Sequence, residues 1–454
     1  MPSKAQQAEA SALLKQLRDD IGNNLLDDKV HTQALEGLKV LGRDAGNVAN
    51  IYDKCGIETL GHYAFDVYPT STHQEALRCI ANALLLLPQT RKFYIELDLD
   101  KKSTQKLQEA DVDDEFLLAR ILFLLTYDPS MNLDVLILEN DLATSIINLL
   151  SRHAAILSMT PRTTTATQSS DMALQETLKL LFNVTSAKGD QVSRFSSAVP
   201  HLILILGSLP ILSPPLQAPL SLTLNALANL EIAEENLDDE GQLRPVVDKL
   251  TTILDQAVQR YSSIELETLG VPLITTLRKI NDIASLDLRE WMKSKFLPDD
   301  KERDQPLGKS SSLPSRLLRL TTSSGSLHLT EAISGLQFEL SNKDANEYVK
   351  NVGYGYAAGY LMSHKIPIPE SDRAEATEGA SSSVPTNPIT GQRLDKEPLI
   401  EVPNMSQEER EREAERLFVL FERLKATGMV NVKNPVEVAK DAGRFEELRD
   451  SDTE

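Results

Sequence analysis

Cysteine is nearly absent from this chain. Cys55 and Cys79 are the only two, too few for a disulfide framework, which favours a reducing compartment. Aromatic residues make up 5% of the 454, so a core has to be built from Leu, Ile, Val and Ala. Apolar runs such as Leu84–Leu87 and Leu202–Leu206 fall far short of the ~20 residues a bilayer-spanning helix needs. The opening MPSKAQQAEA is polar and has no signal-peptide core. Sustained strand-type alternation bounded by hairpin turns is missing too. Positive charge is in deficit: a net charge of −20 argues against general affinity for nucleic acid or anionic membrane, though it leaves room for a local basic groove.

What is present is a series of apolar helices. In EALRCIANALLLL (Glu75–Leu87), Leu77, Ile80, Ala81, Leu84 and Leu87 recur at helical spacing, while Arg78 and Asn82 sit four apart on another face. FLLARILFLLTY (Phe116–Tyr127) puts Arg120 in the place of Arg78 but Leu124 in the Asn place. ETLKLLFNVT (Glu176–Thr185) repeats the spacing as Lys179 and Asn183, and LSLTLNALANL (Leu220–Leu230) carries Asn225 and Asn229. Helices apolar nearly all round must be covered by neighbours. Several in series predict an all-α stacked solenoid whose equivalent faces line up into one groove.

Along the chain, two amphipathic helices are expected within 11–41, and Leu97–Asp114 reads as an exposed connection. Thr160–Ser170 (TPRTTTATQSS) reads as a surface loop and Ser213–Pro219 as a proline-rich turn. Leu243–Arg260 and Pro272–Ala284 read as helices. Beyond Lys295 a charged loop leads into a short basic helix with Arg316 and Arg319. Leu327–Leu340 and Asn346–Leu361 then close a repeat domain spanning 1–362. Residues 363–404, rich in Pro, Ser, Thr, Glu and Gly, read as a flexible linker. In the tail, 405–454, Ser406 and Glu409 form a capping box for a helix over 406–427. Its apolar stripe is Ala414, Leu417, Phe421 and Leu424.

Signatures of covalent chemistry are missing. Cys55, His62, His73 and Cys79 lie close in sequence, but their spacing does not match paired zinc knuckles. Gly353, Gly355 and Gly359 follow no strand, so they read as a tight interhelical turn with small residues rather than a dinucleotide loop. Gly308–Ser310 is a GKS, but the P-loop glycine expected five residues earlier is Arg303. No cofactor and no metal are expected.

Four stretches carry a family resemblance: LGKSSSLPSRLLRL ending at Leu320, VKNVGYGYAAGYL (Val349–Leu361), NPITGQRLDKEP (Asn387–Pro398) and MSQEEREREAERLFVLFERL (Met405–Leu424). In this order they resemble the synembryn family (resistance to inhibitors of cholinesterase), as do the N-terminal helices, and the likeness covers nearly the whole chain. The resemblance implies an armadillo/HEAT-like superhelix that binds heterotrimeric G-protein α subunits (Gα), in the GDP-bound or nucleotide-free state. Family members act as chaperones for new Gα and as non-receptor guanine nucleotide exchange factors, capturing the Gα C-terminal helix in a concave groove. A cytoplasmic monomer follows, reaching the plasma membrane only through Gα. The region Ser371–Ser383 departs from the family: no Ser or Thr there is followed by an acid three residues on.

For Arg78, Asn82, Arg120, Lys179, Asn183, Asn225 and Asn229 two readings stand. Asn can bond a captured peptide's backbone and a nearby base its carboxylates, or these are ordinary helix residues satisfied within the solenoid. The resemblance tips the balance to the groove. Leu417, Phe421 and Leu424 are expected to dock on the solenoid or on the partner. Arg316 and Arg319 either bind phosphate or an acidic segment, or form a solvated face. The competing function is an armadillo-type adaptor without exchange activity.

Overall fold

The computed structural model describes residues 4–23, 25–159, 165–234, 243–323, 325–367, 386–387, 390–397, 406, 409 and 412–419. The chain divides into two compact units, Met1–Asp395 and Lys396–Glu454.

Among its described residues the first unit is helical apart from its connections. It begins with α1 (Lys4–Asp20), α2 (Asp28–Leu41), α3 (Ala45–Val48), α4 (Lys54–Phe65) and α5 (Thr70–Leu86). Next come α6 (Gln89–Glu96), α7 (Leu99–Leu107), α8 (Val112–Leu125), α9 (Leu133–Leu138), α10 (Leu142–Met159) and α11 (Thr165–Ala187). Then follow α12 (Val199–Ser208), α13 (Leu220–Asn229), α14 (Leu243–Arg260), α15 (Ser263–Ile283) and α16 (Leu286–Phe296). The last are α17 (Leu313–Thr321), α18 (Leu327–Leu340), α19 (Ala345–Val352) and α20 (Tyr354–Ser363). No strand occurs among the described residues, only an isolated bridge between Thr386 and Arg393.

The helices form two rows. α2, α5, α8, α11, α13, α15 and α18 pack in series, each on the next, and α1, α4, α7, α10, α12, α14 and α17 each back one of them. This is the layering of an armadillo/HEAT-like repeat protein, in which each helix pair covers apolar surface its neighbour would expose. α5 shows the cause. Leu77, Ile80 and Leu84 are fully buried, each contributing ~1.5–3 kcal/mol. The Cys79 thiol donates to the Leu35 carbonyl of α2 at 3.3 Å. Pro69 and Pro88 bracket the helix, since neither can supply an interior N–H.

Buried ion pairs tie the rows together. Glu115 of α8 is fully buried. It accepts from His153 at 2.8 Å and Arg152 at 2.6 Å, both on α10, and from Thr177 of α11 at 2.6 Å. Burial alone would raise its pKa, but these donors and the His153 charge hold the carboxyl below its ordinary range. α10 is long and apolar enough to cross a membrane by composition; here it lies against α11 and α12.

Four expectations are corrected. Leu97–Asp114 is not an exposed connection: it holds all of α7 and the start of α8, with Leu99 and Leu107 buried. Its polar stripe hides because Ser103 and Thr104 bond back to the Leu99 and Asp100 carbonyls at 2.8 and 2.9 Å, so both can be buried. α11 already begins at Thr165, inside the stretch read as a loop. α15 begins at Ser263, capped by Ser262 and Glu265, and runs through Pro272. An interior proline costs ~3 kcal/mol, which burial of Leu266, Leu273, Ile274, Leu277 and Ile280 outweighs. The final expected helix, Asn346–Leu361, is broken into α19 and α20 at Gly353, whose φ of 82° suits glycine.

Candidate partner-binding face

The row α2–α5–α8–α11–α13–α15–α18 carries a ladder of charges. Glu75 of α5 lies between Lys39 of α2 (2.6 Å) and Arg78 one turn on (2.7 Å). Glu176 of α11 lies between Arg120 of α8 (3.0 Å) and Lys179 one turn on (2.9 Å). Glu339 of α18 takes Arg278 of α15 at 2.6 Å. The carboxylates are nearly buried and the cations half-buried. Each of the first two rungs therefore places two cations on one carboxylate, leaving a unit of positive charge facing out.

The asparagines divide into two kinds. Asn183 donates to the Thr126 hydroxyl at the end of α8, at 2.8 Å. Asn229 donates to the Phe182 carbonyl and to Thr185 and Ser186 at 3.2, 3.2 and 2.7 Å, at the end of α11. Lys279 does the same for α13, reaching the Ala228 and Leu230 carbonyls at 2.6 Å each, and its burial pulls the ammonium pKa down. All three satisfy the C-terminal groups of the preceding helix in the row. Asn82 and Asn225 are half-buried, and their side-chain amides make no hydrogen bond among the described residues. Leu124, in the Asn place of α8, is buried. Past Asn229 the face opens into a cavity of about 910 Å³, lined by Thr185, Asn229, Glu231, Lys279 and Asp282 among others.

The ladder's acidic half, Glu75, Glu176 and Glu339, is absent from the sequence reading, as are Lys39 and Arg278. A signal existed for two of them: Glu75 and Glu176 each stand three residues before the base they hold, a spacing that pairs on a helix.

A model of the Ric8 family, described as guanine nucleotide exchange factor synembryn, matches residues 34–444. The chain belongs to the Ric8 family. It is similar to a synembryn-like chaperone of Schizosaccharomyces pombe, 30% identical over 190 residues, which is 38% of this chain and 34% of that protein. Chaperone Ric-8A of Macaca fascicularis is 22% identical over 453 residues, 86% of this chain and 80% of the relative. Chaperone Ric-8A of Gallus gallus is 23% identical over 452, 88% and 82%.

In this Ric8-family chain the other candidates lie apart from the ladder. Arg316 pairs with Asp255 of α14. Arg319 donates to the Gly308 and Ser310 carbonyls at 2.6 and 2.9 Å. A phosphate there would have to displace partners already in place. Ser310, Ser312 and Ser315 gather their hydroxyls on Glu302 at 3.3, 2.7 and 2.8 Å. Of the four candidate zinc ligands, His62 pairs with Asp66 and His73 with Asp114, Cys79 bonds Leu35, and Cys55 is exposed.

In the second unit the capping box is in place. The Ser406 N–H donates to Glu409 at 3.0 Å and the Glu409 N–H to the Ser406 hydroxyl at 3.3 Å. Residues 412–419 are helical, and Leu417 is 48% exposed. Phe421 and Leu424 lie outside the described residues.

Proposed function

We propose that this protein is a non-receptor guanine nucleotide exchange factor and folding chaperone for heterotrimeric G-protein α subunits, capturing the Gα C-terminal helix on the ladder face. The observation that carries the reading is the pair of rungs in which two cations share one carboxylate, Lys39–Glu75–Arg78 and Arg120–Glu176–Lys179. They leave positive charge on one strip of a chain whose net charge is −20. A helix C-terminus presents a carboxylate and the negative end of its dipole, the complement of such a strip. Asn82 and Asn225 keep their amides available for a bound backbone. Membership of the Ric8 family, and the likeness to Ric-8A chaperones, support the same reading.

The mechanism is binding without covalent chemistry. A Gα whose C-terminal helix is held on the ladder has that helix removed from its own domain, which loosens the nucleotide pocket. By linkage, a protein that binds nucleotide-free Gα more tightly than GDP-bound Gα lowers the affinity for GDP by the same factor. The same preference steadies a newly made subunit.

The test is GDP release from purified Gα, read beside binding of a Gα C-terminal peptide. Accelerated release together with peptide binding is expected. Peptide binding without accelerated release overturns exchange activity and leaves the adaptor reading.

A further inference from the structure

The end of the repeat array holds a cavity of about 310 Å³ that the ladder does not use, within the size range of small-ligand sites. It lies where the last turns of α17 and α20 meet the first turn of α18. Thr321 ends α17, Ser363 ends α20 and Leu327 begins α18, and all three line it. The GYGYAAGY run supplies another wall through Gly355, Tyr356, Gly359 and Tyr360.

The polar groups of this lining are mostly acceptors. The Thr321, Thr322 and Ser363 hydroxyls donate to the carbonyls one turn back, those of Leu318, Arg319 and Tyr360, at 2.7, 2.9 and 2.9 Å. The Tyr356 hydroxyl donates to the Leu307 carbonyl at 3.1 Å. With their protons committed, these four hydroxyls present lone pairs. Glu331 adds a carboxylate. One of its oxygens pairs with His364 at 3.0 Å, and the other makes no hydrogen bond among the described residues. The C-termini of α17 and α20 bring two negative dipole ends to the same place.

The positive end of α18 is already answered, since Glu267 accepts from the His328 and Leu329 N–H groups at 2.9 Å each. No lysine, arginine or histidine lines the cavity among the described residues. An anion would meet lone pairs and a carboxylate, with no charge to hold it. A cation fits.

The shape suits a cation on a stem. Gly355 and Gly359 stand four apart on α20, and a Cβ built on Gly359 meets no atom within 4 Å. Leu327, 77% exposed, and the rings of Tyr356 and Tyr360 give apolar surface for methylenes and π-faces for a charged head. His364, just outside, already makes both polar contacts: its ring stacks on Tyr360 at 4.2 Å while its Nε2 reaches Glu331.

We propose that this cavity binds an ammonium or guanidinium group carried on an alkyl stem, as in a lysine or arginine side chain or a free alkyl amine. Glu331 holds the head, and the open floor at Gly355 and Gly359 admits the stem.

The test titrates the full-length protein with agmatine, and with 1-pentanol as the uncharged control, by ligand-observed NMR. A chain of net charge −20 collects cations loosely over its surface, and two variants separate the site from that background. Gly359→Leu fills the cavity and changes no charge. Glu331→Gln keeps the shape and removes one of 67 acidic side chains, a loss that loose binding would hardly register. Agmatine binding at a roughly millimolar Kd is expected for so small a ligand, weakened at least fivefold in each variant. The melting temperature of Gly359→Leu should not fall, because leucine favours a helix more than glycine does. Agmatine affinity unchanged in Glu331→Gln, unchanged in folded Gly359→Leu, or matched by 1-pentanol would each overturn the proposal.

Competition then separates the two sources of the stem. If it belongs to a partner's side chain, Gly359→Leu and saturating agmatine both weaken binding of intact Gα but not of its C-terminal peptide. If it is a free amine, Gα binding is indifferent to both. Only this second arm rests on the Gα reading given above, so failure of that reading leaves the agmatine titration standing.

Discussion

Arg120 on α8 and Lys179 on α11, from successive repeats, meet on a single oxygen of Glu176, at 3.0 and 2.9 Å. The carboxylate holds two repeats in register while leaving more positive than negative charge at the surface. Glu176→Gln should therefore cost stability, since both cations lose their partner, yet free charge for an incoming carboxylate. Tighter capture of an acidic Gα C-terminal peptide in 50 mM than in 300 mM salt, with a steeper salt slope than wild type, is the expected result. Fluorescence titration at the two salt concentrations would read it.

The two kinds of asparagine should separate in one experiment. Replacing Asn82 and Asn225 by Ala is expected to weaken peptide capture about fivefold, the equivalent of one net hydrogen bond of about 1 kcal/mol, with the melting temperature unchanged. Replacing Asn183 and Asn229 removes bonds between repeats and should lower stability by about 1–2 kcal/mol. Equal effects of both pairs on affinity, in proteins that melt alike, would contradict the division.

Acid should strip the array at α8. The Glu115 carboxyl has its pKa lowered from an ordinary 4.5, so its contribution is complete above about pH 4.5 and is lost as pH falls through the lowered value. Glu115→Gln should flatten the stability profile in that window. At neutral pH it should cost about 3–5 kcal/mol, because buried His153 loses its charged partner. Thermal melts from pH 3 to 7 would show whether both hold.

Truncation after Asp395 removes the tail. It should slow GDP release while leaving capture of the isolated Gα peptide within twofold, and Leu417→Asp with Phe421→Asp in the full chain should reproduce the loss, because a charge cannot enter an apolar contact unpaired. A truncated protein releasing GDP at the full-length rate would rule out a tail contact with the partner.

Where apolar residues recur every three or four positions, the sequence reading and the structure agree. α5, α8, α13, α14 and α18 lie where their stripes place them, because a buried helix face is a local pattern. The Ser406–Glu409 box is equally local, needing only two side chains three residues apart. α7 escaped because Ser103 and Thr104 are satisfied by their own helix and so can be buried while looking polar. The start of α15 escaped because Pro272 carries a local penalty that only packing against neighbouring helices outweighs.

The sequence by itself determined that this chain is a run of helices too apolar to stand alone, and it marked Arg78, Arg120, Lys179 and the asparagines as unusual on such helices. The tertiary structure decided what those side chains meet. Arg120 lies 56 residues from Glu176, Arg278 lies 61 from Glu339, and Arg303 lies 88 from Gly391. No periodicity links residues so far apart. Their pairing depends on how one repeat stacks on the next, and that is set by the buried surface of the whole array rather than by any one helix.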